Sequence, residues 1–200
     1  IDFKVDHYLC GNTCRCVWAL REYPTSTDEQ AILRHLGEKD GITLRIYTRQ
    51  VTPAEEKRII HNAANKHRMS RSSTDDLQQT VTAESNLQDM AAMLTLAHRN
   101  QEPFLHTAVF IEMIANDPEH LRMLQSEVEA ELNCCKISAD HLLLRQKQGF
   151  QSVMPSGWNA FGTQYERVLP ASSAANLYPM CYSGKTDPQW LPAGTGQVRQ

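Results

Sequence analysis

The stretch LHTAVFIEMIA, residues 105–115, constrains the fold of this chain most strongly, because a strand formed by it would be apolar on both faces. Its apolar side chains alternate between two sets: Val109, Ile111 and Met113 on one face, and Ala108, Phe110 and Ile114 on the other. Glu112 is the polar residue that interrupts the second set. A strand that is apolar on both faces is typical of the centre of a sheet. We therefore predict a central strand over these residues.

Hydrophobic periodicity and capping signals predict the other elements. The clearest helix start is Thr52-Pro53-Ala54-Glu55, where a capping threonine precedes a proline at the first helical position and a glutamate three residues after the cap. A second capping box, Ser26 to Glu29, precedes the next helix signal. The predicted strands are Phe3–Tyr8, Thr13–Tyr23, Ile42–Gln50 and Cys135–Leu144; the predicted helices are Thr27–Leu36, a pair over 53–100, one from Asp117-Pro118 and one over Gln146–Val153.

The order of these elements predicts the fold class. From the strand Thr13–Tyr23 to the strand Cys135–Leu144, and without the helical pair, the core reads βαββαβ, which is the split βαβ or ferredoxin-like arrangement. We therefore expect an α+β fold with a ferredoxin-like antiparallel sheet, in which the first and third core strands are central and the second, 42–50, is an edge. The helical pair at about 53–100 would be an insertion. We assign residues 1–145 to this domain and residues 146–200 to an irregular or helical linker segment.

Composition limits the classes of function. Apolar residues make up 41% of the 200 residues and the formal net charge is −3, so nothing global favours nucleic acid or anionic lipid as a partner. No apolar run approaches the length of a bilayer span, and no secretory leader is visible. The chain opens on Ile1 rather than Met, so we expect a piece of a longer protein. Its six cysteines lack common zinc spacing, and we expect reduced thiols and no metal.

Basic residues concentrate at the start of the helical pair. This concentration could contact phosphate groups of DNA or lipid. The alternative is a solvated helix, because Glu55 and Glu56 lie near its N-terminus and most of the cations lie toward its C-terminus, as the helix dipole favours. The candidate contact residues are Lys57, Arg58, Lys66, Arg68 and Arg71.

The sequence SGKT, residues 183–186, matches the last letters of a phosphate-binding loop but lacks the rest of it. A Walker A loop needs a glycine five residues before Gly184, and that position holds Pro179, which has no N–H to donate to a phosphate. No apolar strand precedes the segment and no helical stripe follows it. We read it as a polar turn and expect no ATP site, no cofactor and no catalytic residue in this chain.

Two segments in the last third carry a family resemblance. RQKQGFQSVMPSG, followed by ERVLPASSAANLYPMCYSGKTDP, resembles the conjugative-transfer ATPases of type IV secretion systems, most closely the VirB-type ATPases of Gram-positive conjugative elements. In that family the two segments form the approach from the N-terminal domain to the ATPase domain. The matching positions are Gln148, Gly149, Phe150, Ser152 and Pro155, then Arg167, Leu169, Ser172, Ala174, Ala175 and Pro179.

The resemblance spans most of residues 10–188, and the chain departs from the family pattern after Pro188. It implies a cytoplasmic parent ATPase that forms a hexamer at the inner face of the cell membrane, uses ATP and magnesium, and helps to export DNA. Its Walker motifs would lie downstream of Gln200. This chain would be the non-catalytic N-terminal domain, which docks the motor onto type IV secretion channel proteins.

Two other classes of function stay open at this point. A ferredoxin-like module that binds nucleic acid would use the basic residues named above. A small stand-alone enzyme on the same fold would need convergent polar groups around a substrate, and the sequence nominates none.

Overall fold

The computed structural model of the chain describes residues 1–23, 33–58, 102–155 and 157–178. Within these ranges seven strands form one antiparallel sheet, and four helices are bounded on both sides. The strands are β1 Asp2–Phe3, β2 Tyr8–Cys10, β3 Thr13–Glu22, β4 Ile42–Gln50, β5 Phe104–Ala115, β6 Ser138–Asp140 and β7 Arg167–Pro170. The helices are α1 Arg34–Glu38, α2 Pro118–Cys134, α3 Gln146–Val153 and α4 Ala171–Asn176.

β5 is the central strand that its apolar pattern predicts. It pairs with β4 along one edge, from Leu105 opposite Gln50 to Met113 opposite Ile42. Its other edge is shared by two strands, β3 toward its C-terminal end and β7 toward its N-terminal end. β3 is also central, because β2 and β6 pair with its far edge at opposite ends. Through the core strands the order is therefore β6–β3–β5–β4, with β4 at the edge as predicted.

The sheet is covered on both faces. On one face, α1 and α2 pack against the odd-numbered apolar residues of β5 and the even-numbered residues of β3, including the buried Trp18. On the opposite face, α3 and the coil 157–165 cover Val17, Ala19 and Phe110. Because β5 and β3 have an apolar layer on each side, their side chains are removed from water on both faces.

Two helix starts have the predicted capping geometry. Asp117 Oδ1 accepts the backbone N–H groups of Glu119 and His120 at 3.0 and 2.8 Å, and Pro118 follows it at the first helical position. At the other start, Thr52 Oγ1 accepts the N–H of Glu55 at 3.3 Å while the Glu55 carboxylate accepts the N–H of Thr52 at 2.9 Å. Residues 53–58 are helical, and the rest of the predicted pair, 59–100, lies outside the described residues.

Three predicted elements have boundaries that differ from the structure by more than one residue. The first predicted strand is split by a turn, in which Lys4 N–H donates to His7 O at 2.8 Å. The last predicted strand is shortened to β6, because Lys136 and Leu142 have positive φ angles of 55° and 52°, which an extended strand cannot contain. α1 continues past Gly37, where we expected it to end; the predicted capping box at 26–29 lies outside the described residues.

The predicted linker also differs from the structure over its described part. α3 has the predicted bounds, but it packs on the sheet, and β7 adds to the sheet through pairs such as Leu169 with Leu105. The physical reason is the second apolar face of the sheet, because Phe150, Phe161 and Tyr165 cover it. Residues on both sides of the predicted boundary at 145/146 therefore share one core.

Candidate functional site

Only part of the predicted basic surface lies in the described ranges. Lys57 and Arg58 are both exposed, in the helical stretch 53–58. The other three candidates, Lys66, Arg68 and Arg71, lie outside the described residues. The structure therefore does not test whether the five residues lie on one surface.

The helix start beside Lys57 and Arg58 is held by one carboxylate. Glu55 accepts the backbone N–H of Thr52 at 2.9 Å and its hydroxyl at 3.0 Å, and it accepts a hydrogen bond from Arg49 at 3.1 Å. The bond from the Thr52 N–H, followed by the bond from Arg49, lowers the pKa of Glu55 to about 2. Glu55 is thus ionised at neutral pH and committed to partners within the protein.

Arg49 connects this helix start to the segment before β7. Its guanidinium bridges Glu55 and Glu166, with both N–O distances at 3.1 Å. His106, on β5 opposite Arg49, lies between the same carboxylates: its Nδ1 is 3.4 Å from Glu166, and its Nε2 is 3.8 Å from Glu55, beyond hydrogen-bond distance. Because Arg49 engages both carboxylates, this ionic cluster ties β4, the helix start and the β7 approach together.

The resemblance segment at 146–155 packs closely against the sheet. A Cβ on Gly149 would lie 2.9 Å from Val17 Cβ, so a glycine permits α3 to approach β3 this closely. Phe150 packs edge-on against Tyr8 at 5.4 Å between ring centroids. The buried Ser152 hydroxyl donates to Gln148 O and accepts the N–H of Ala160, both at 3.0 Å. These matching positions are used for packing and for closing the turn after α3.

Gln146 also holds α3 to the sheet, and the sequence reasoning missed it. Its side-chain amide accepts the Val17 N–H at 2.9 Å and donates to Val17 O at 3.1 Å and to His141 O at 2.9 Å. The side chain is fully buried. One signal in the sequence could have suggested this contact. Gln146, Gly149 and Val153 are spaced three and four residues apart, so they share the helical face that is buried against the sheet.

Glu112, which interrupts the apolar pattern of β5, is buried and paired. It accepts a hydrogen bond from the Tyr8 hydroxyl and lies 3.4 Å from Arg15. Burial, followed by the bond to Glu112, raises the pKa of Tyr8 above its usual range. Tyr8 therefore remains a hydrogen-bond donor, and this group satisfies a buried carboxylate within the sheet.

A second polar group closes the turn between β6 and α3. Tyr165 donates to Asp140 at 2.6 Å, and Arg145 lies 3.1 Å from the same carboxylate oxygen. Burial alone would raise the pKa of Asp140, but the bonds from Tyr165 and from the Leu142 N–H, with Arg145 beside them, hold it below its usual range. Burial and the bond to Asp140 raise the pKa of Tyr165 to about 12. This group therefore holds the coil 157–165 against the turn.

Two neighbouring polar side chains before β2 pair with each other. Asp6 and His7 are hydrogen-bonded at 2.7 Å between Oδ1 and Nδ1, in the turn between β1 and β2. The SGKT segment lies outside the described residues. Cys14 and Cys16 are free and buried, and burial raises the pKa of Cys16 to about 12.

The described ranges contain neither a metal cluster nor a membrane span. Their His, Cys, Asp and Glu side chains form no group of three that could hold a metal ion. Each helix within them is too short or too polar to span a bilayer.

Comparison with known proteins adds no assignment. A search of protein-family models found no match to this chain, and a search of curated proteins found none either.

Proposed function

We propose that this chain is a non-catalytic interaction domain of a conjugative-transfer ATPase, attaching the motor to type IV secretion channel proteins at the inner face of the cell membrane. The observation that carries the proposal is that residues matching the family pattern pack against the sheet. Gly149, Phe150 and Ser152 lie in α3, which packs against the sheet. A segment packed in this way can join a domain to the next part of the chain, which is its place in the family.

We also propose that the core is a split βαβ, or ferredoxin-like, arrangement. The strand order β6–β3–β5–β4 supports it, because the strands rank fourth, first, third and second along the βαββαβ core. α1 and α2 pack on the same face of that core, which also supports it. β1, β2, β7, α3 and α4 are additions to this core.

ATP, magnesium and the hexamer belong to the proposed parent protein rather than to this chain. The polar groups described above are committed to internal partners: Glu55 and Glu166 to Arg49, Glu112 to Tyr8, and Asp140 to Tyr165. This supports a role in holding the domain together and favours binding over turnover.

Calorimetry with Mg-ATP, followed by binding to channel proteins, tests the proposal. We expect no heat of ATP binding at micromolar concentrations, and binding of the chain to at least one purified inner-membrane channel protein of a conjugation system. Micromolar ATP affinity that is lost in Lys185→Ala would identify residues 181–190 as a phosphate site and overturn the proposal. Binding to none of the inner-membrane channel proteins of that conjugation system would also contradict the proposal.

The alternative, a nucleic-acid-binding module, is favoured by the exposure of Lys57 and Arg58. The same preparation, titrated with fluorescent single-stranded DNA, separates it from the main proposal. Salt-dependent binding that weakens in Lys57→Ala/Arg58→Ala, but not in the exposed-lysine control Lys147→Ala, would support the alternative.

A further inference from the structure

A cleft of about 440 Å³ opens on the layer formed by α1 and α2. Its walls come from three places: the turn between α1 and β4, the end of β5 with the turn after it, and one side of α2. We call it the α2 cleft. It is lined by Asp40, Gly41, Ile114, Ala115, Asn116, His120, Met123, Leu124 and Glu127.

The α2 wall is a helical stripe separate from the one that enters the core. His120, Met123 and Glu127 follow a spacing of three and four residues, so they share one face of the helix. Met123 is an apolar side chain between two polar ones in this stripe, and it is 58% exposed. An exposed, unbranched thioether is suited to packing against side chains of varied shape.

The floor of the α2 cleft depends on a glycine. Gly41 has a φ of +79°, and a Cβ there would lie 2.5 Å from Ile114 O. The Gly41 carbonyl accepts the N–H of Ile114 at 2.7 Å, which holds the turn against the end of β5. Ile114, Ala115 and Leu124 are only partly buried beside it. The backbone of this turn is therefore held close to β5, and the floor beside it is apolar.

The layer of α1 and α2 that carries the α2 cleft has a net negative formal charge. Residues 33–41 and 116–136 contain seven Asp and Glu residues against four Lys and Arg residues, a formal charge of −3. At the rim, Lys39 pairs with Glu127 at 2.6 Å, and His120 pairs with Asp117 at 2.5 Å. These pairs are exposed, so water screens them and an incoming cation can compete for their carboxylates.

We propose that the α2 cleft docks a basic amphipathic segment of a partner protein, with aliphatic side chains against Met123 and Leu124 and lysine or arginine side chains at the acidic rim. This inference deepens the proposed interaction role and rests on it. The charge of the layer opposes nucleic acid and anionic lipid, and it complements a basic segment. An amphipathic helix laid into an apolar groove is a common mode of peptide recognition.

The test uses two synthetic probes and a matched pair of variants. The probes are a fluorescein-labelled amphipathic helix of leucine and lysine, and the same helix with glutamate in place of lysine. The variants are Met123→Lys and Met154→Lys; both methionines are exposed, but Met154 follows α3 on the opposite layer. Each variant adds the same charge to the whole protein, so only the position of that charge differs.

We expect the lysine helix to bind and the glutamate helix not to bind, measured by fluorescence anisotropy. Met123→Lys should weaken binding by about ten-fold or more, because it places a cation in the cleft, while Met154→Lys should change it less than about two-fold. Equal weakening by both variants would mean that net charge alone attracts the probe, and would overturn the proposal. Binding of the glutamate helix, or self-association that Met123→Lys abolishes, would overturn it in favour of another occupant.

The failure of this inference can be told apart from the failure of the proposed function. Channel-protein binding that survives Met123→Lys would exclude the α2 cleft and leave the interaction role standing. If the probe binds in the α2 cleft but no channel protein binds the chain, the cleft would still be a docking site, and the proposed role in attaching the motor to channel proteins would be wrong.

Discussion

The side chain of Gln146 makes hydrogen bonds to the backbone of β3 that a neighbouring strand makes elsewhere in the sheet. On the edge of β3 away from β5, β2 pairs with residues 13–15 and β6 pairs with residues 19–22. Val17 lies in the gap between these two strands, and the amide of Gln146 binds both its N–H and its carbonyl. A buried backbone group without such a partner is costly, so this contact accounts for a polar residue in the core.

Replacing Gln146 with leucine tests this role at the scale of one residue. We expect Gln146→Leu to lower the free energy of unfolding by about 3 kcal/mol, since the buried Val17 N–H and carbonyl lose their partner. The control is Gln148→Leu, at an exposed position on the same helix, where the change should stay within about 0.5 kcal/mol. Urea denaturation at neutral pH measures both. Equal stability of the two variants would contradict the role of Gln146.

Contacts between buried polar groups, such as that of Gln146 with Val17, could not be predicted from the sequence, although the residue types are visible in it. Glu112 was recognised as an interruption of the apolar pattern, but its partner Tyr8 lies 104 positions away. Gln146 and Val17 are 129 positions apart. No periodicity links residues at these separations, because the pairing depends on how the strands and helices assemble.

Among the elements, those with strong local signals were predicted best. β4 and α3 have the predicted bounds, and α2 begins at its predicted cap. β7 was missed, because its residues fall in a segment rich in Pro, Ser and Ala that we predicted as irregular or helical; α4 is a helix in that segment whose bounds were not predicted. β7 forms because β5 offers it an unpaired edge beyond the end of β3.

The helix start at Thr52 has a pH dependence that can be measured. The pKa of Glu55 is about 2 in the folded protein, against an ordinary value of 4.5. The stability it contributes is therefore present above pH 4.5 and is lost as the pH falls toward 2. We expect Glu55→Gln to lower the urea midpoint at neutral pH and to make the midpoint fall less on acidification.

A second variant checks the cause of that effect. Thr52→Ala removes the hydroxyl bond to Glu55 but keeps the backbone bond, so its acid profile should lie between those of the parent protein and Glu55→Gln. An unchanged acid profile in Glu55→Gln would show that this carboxylate does not contribute to stability through its ionisation.

For the whole molecule, the second face of the sheet decides where the folded unit ends. Val17, Ala19 and Phe110 are fully buried beneath α3 and the coil 157–165. Exposing a large apolar side chain costs about 2 kcal/mol, and a typical domain is stable by only about 5 to 15 kcal/mol. The sheet therefore depends on residues that the sequence analysis assigned to a linker.

Shortening the chain tests this dependence. A chain that ends at Arg145 should lose its cooperative urea transition and bind a dye that reports exposed apolar surface. A chain that ends at Tyr178 keeps all the described contacts and should unfold cooperatively. Cooperative unfolding of both chains with the same midpoint would instead support a domain boundary at 145/146.

Local patterns in the sequence determined the α+β class, the central position of β5, the edge position of β4 and the caps at Thr52 and Asp117. These features depend on alternation, periodicity and capping, which act between residues a few positions apart. The tertiary structure alone decided the addition of β7 to the sheet, the contact of Gln146 with Val17, the ionic cluster around Arg49 and the α2 cleft. Each of these joins segments that are distant in the chain, and such contacts form only when burial of both faces of the sheet outweighs the entropy lost in bringing those segments together.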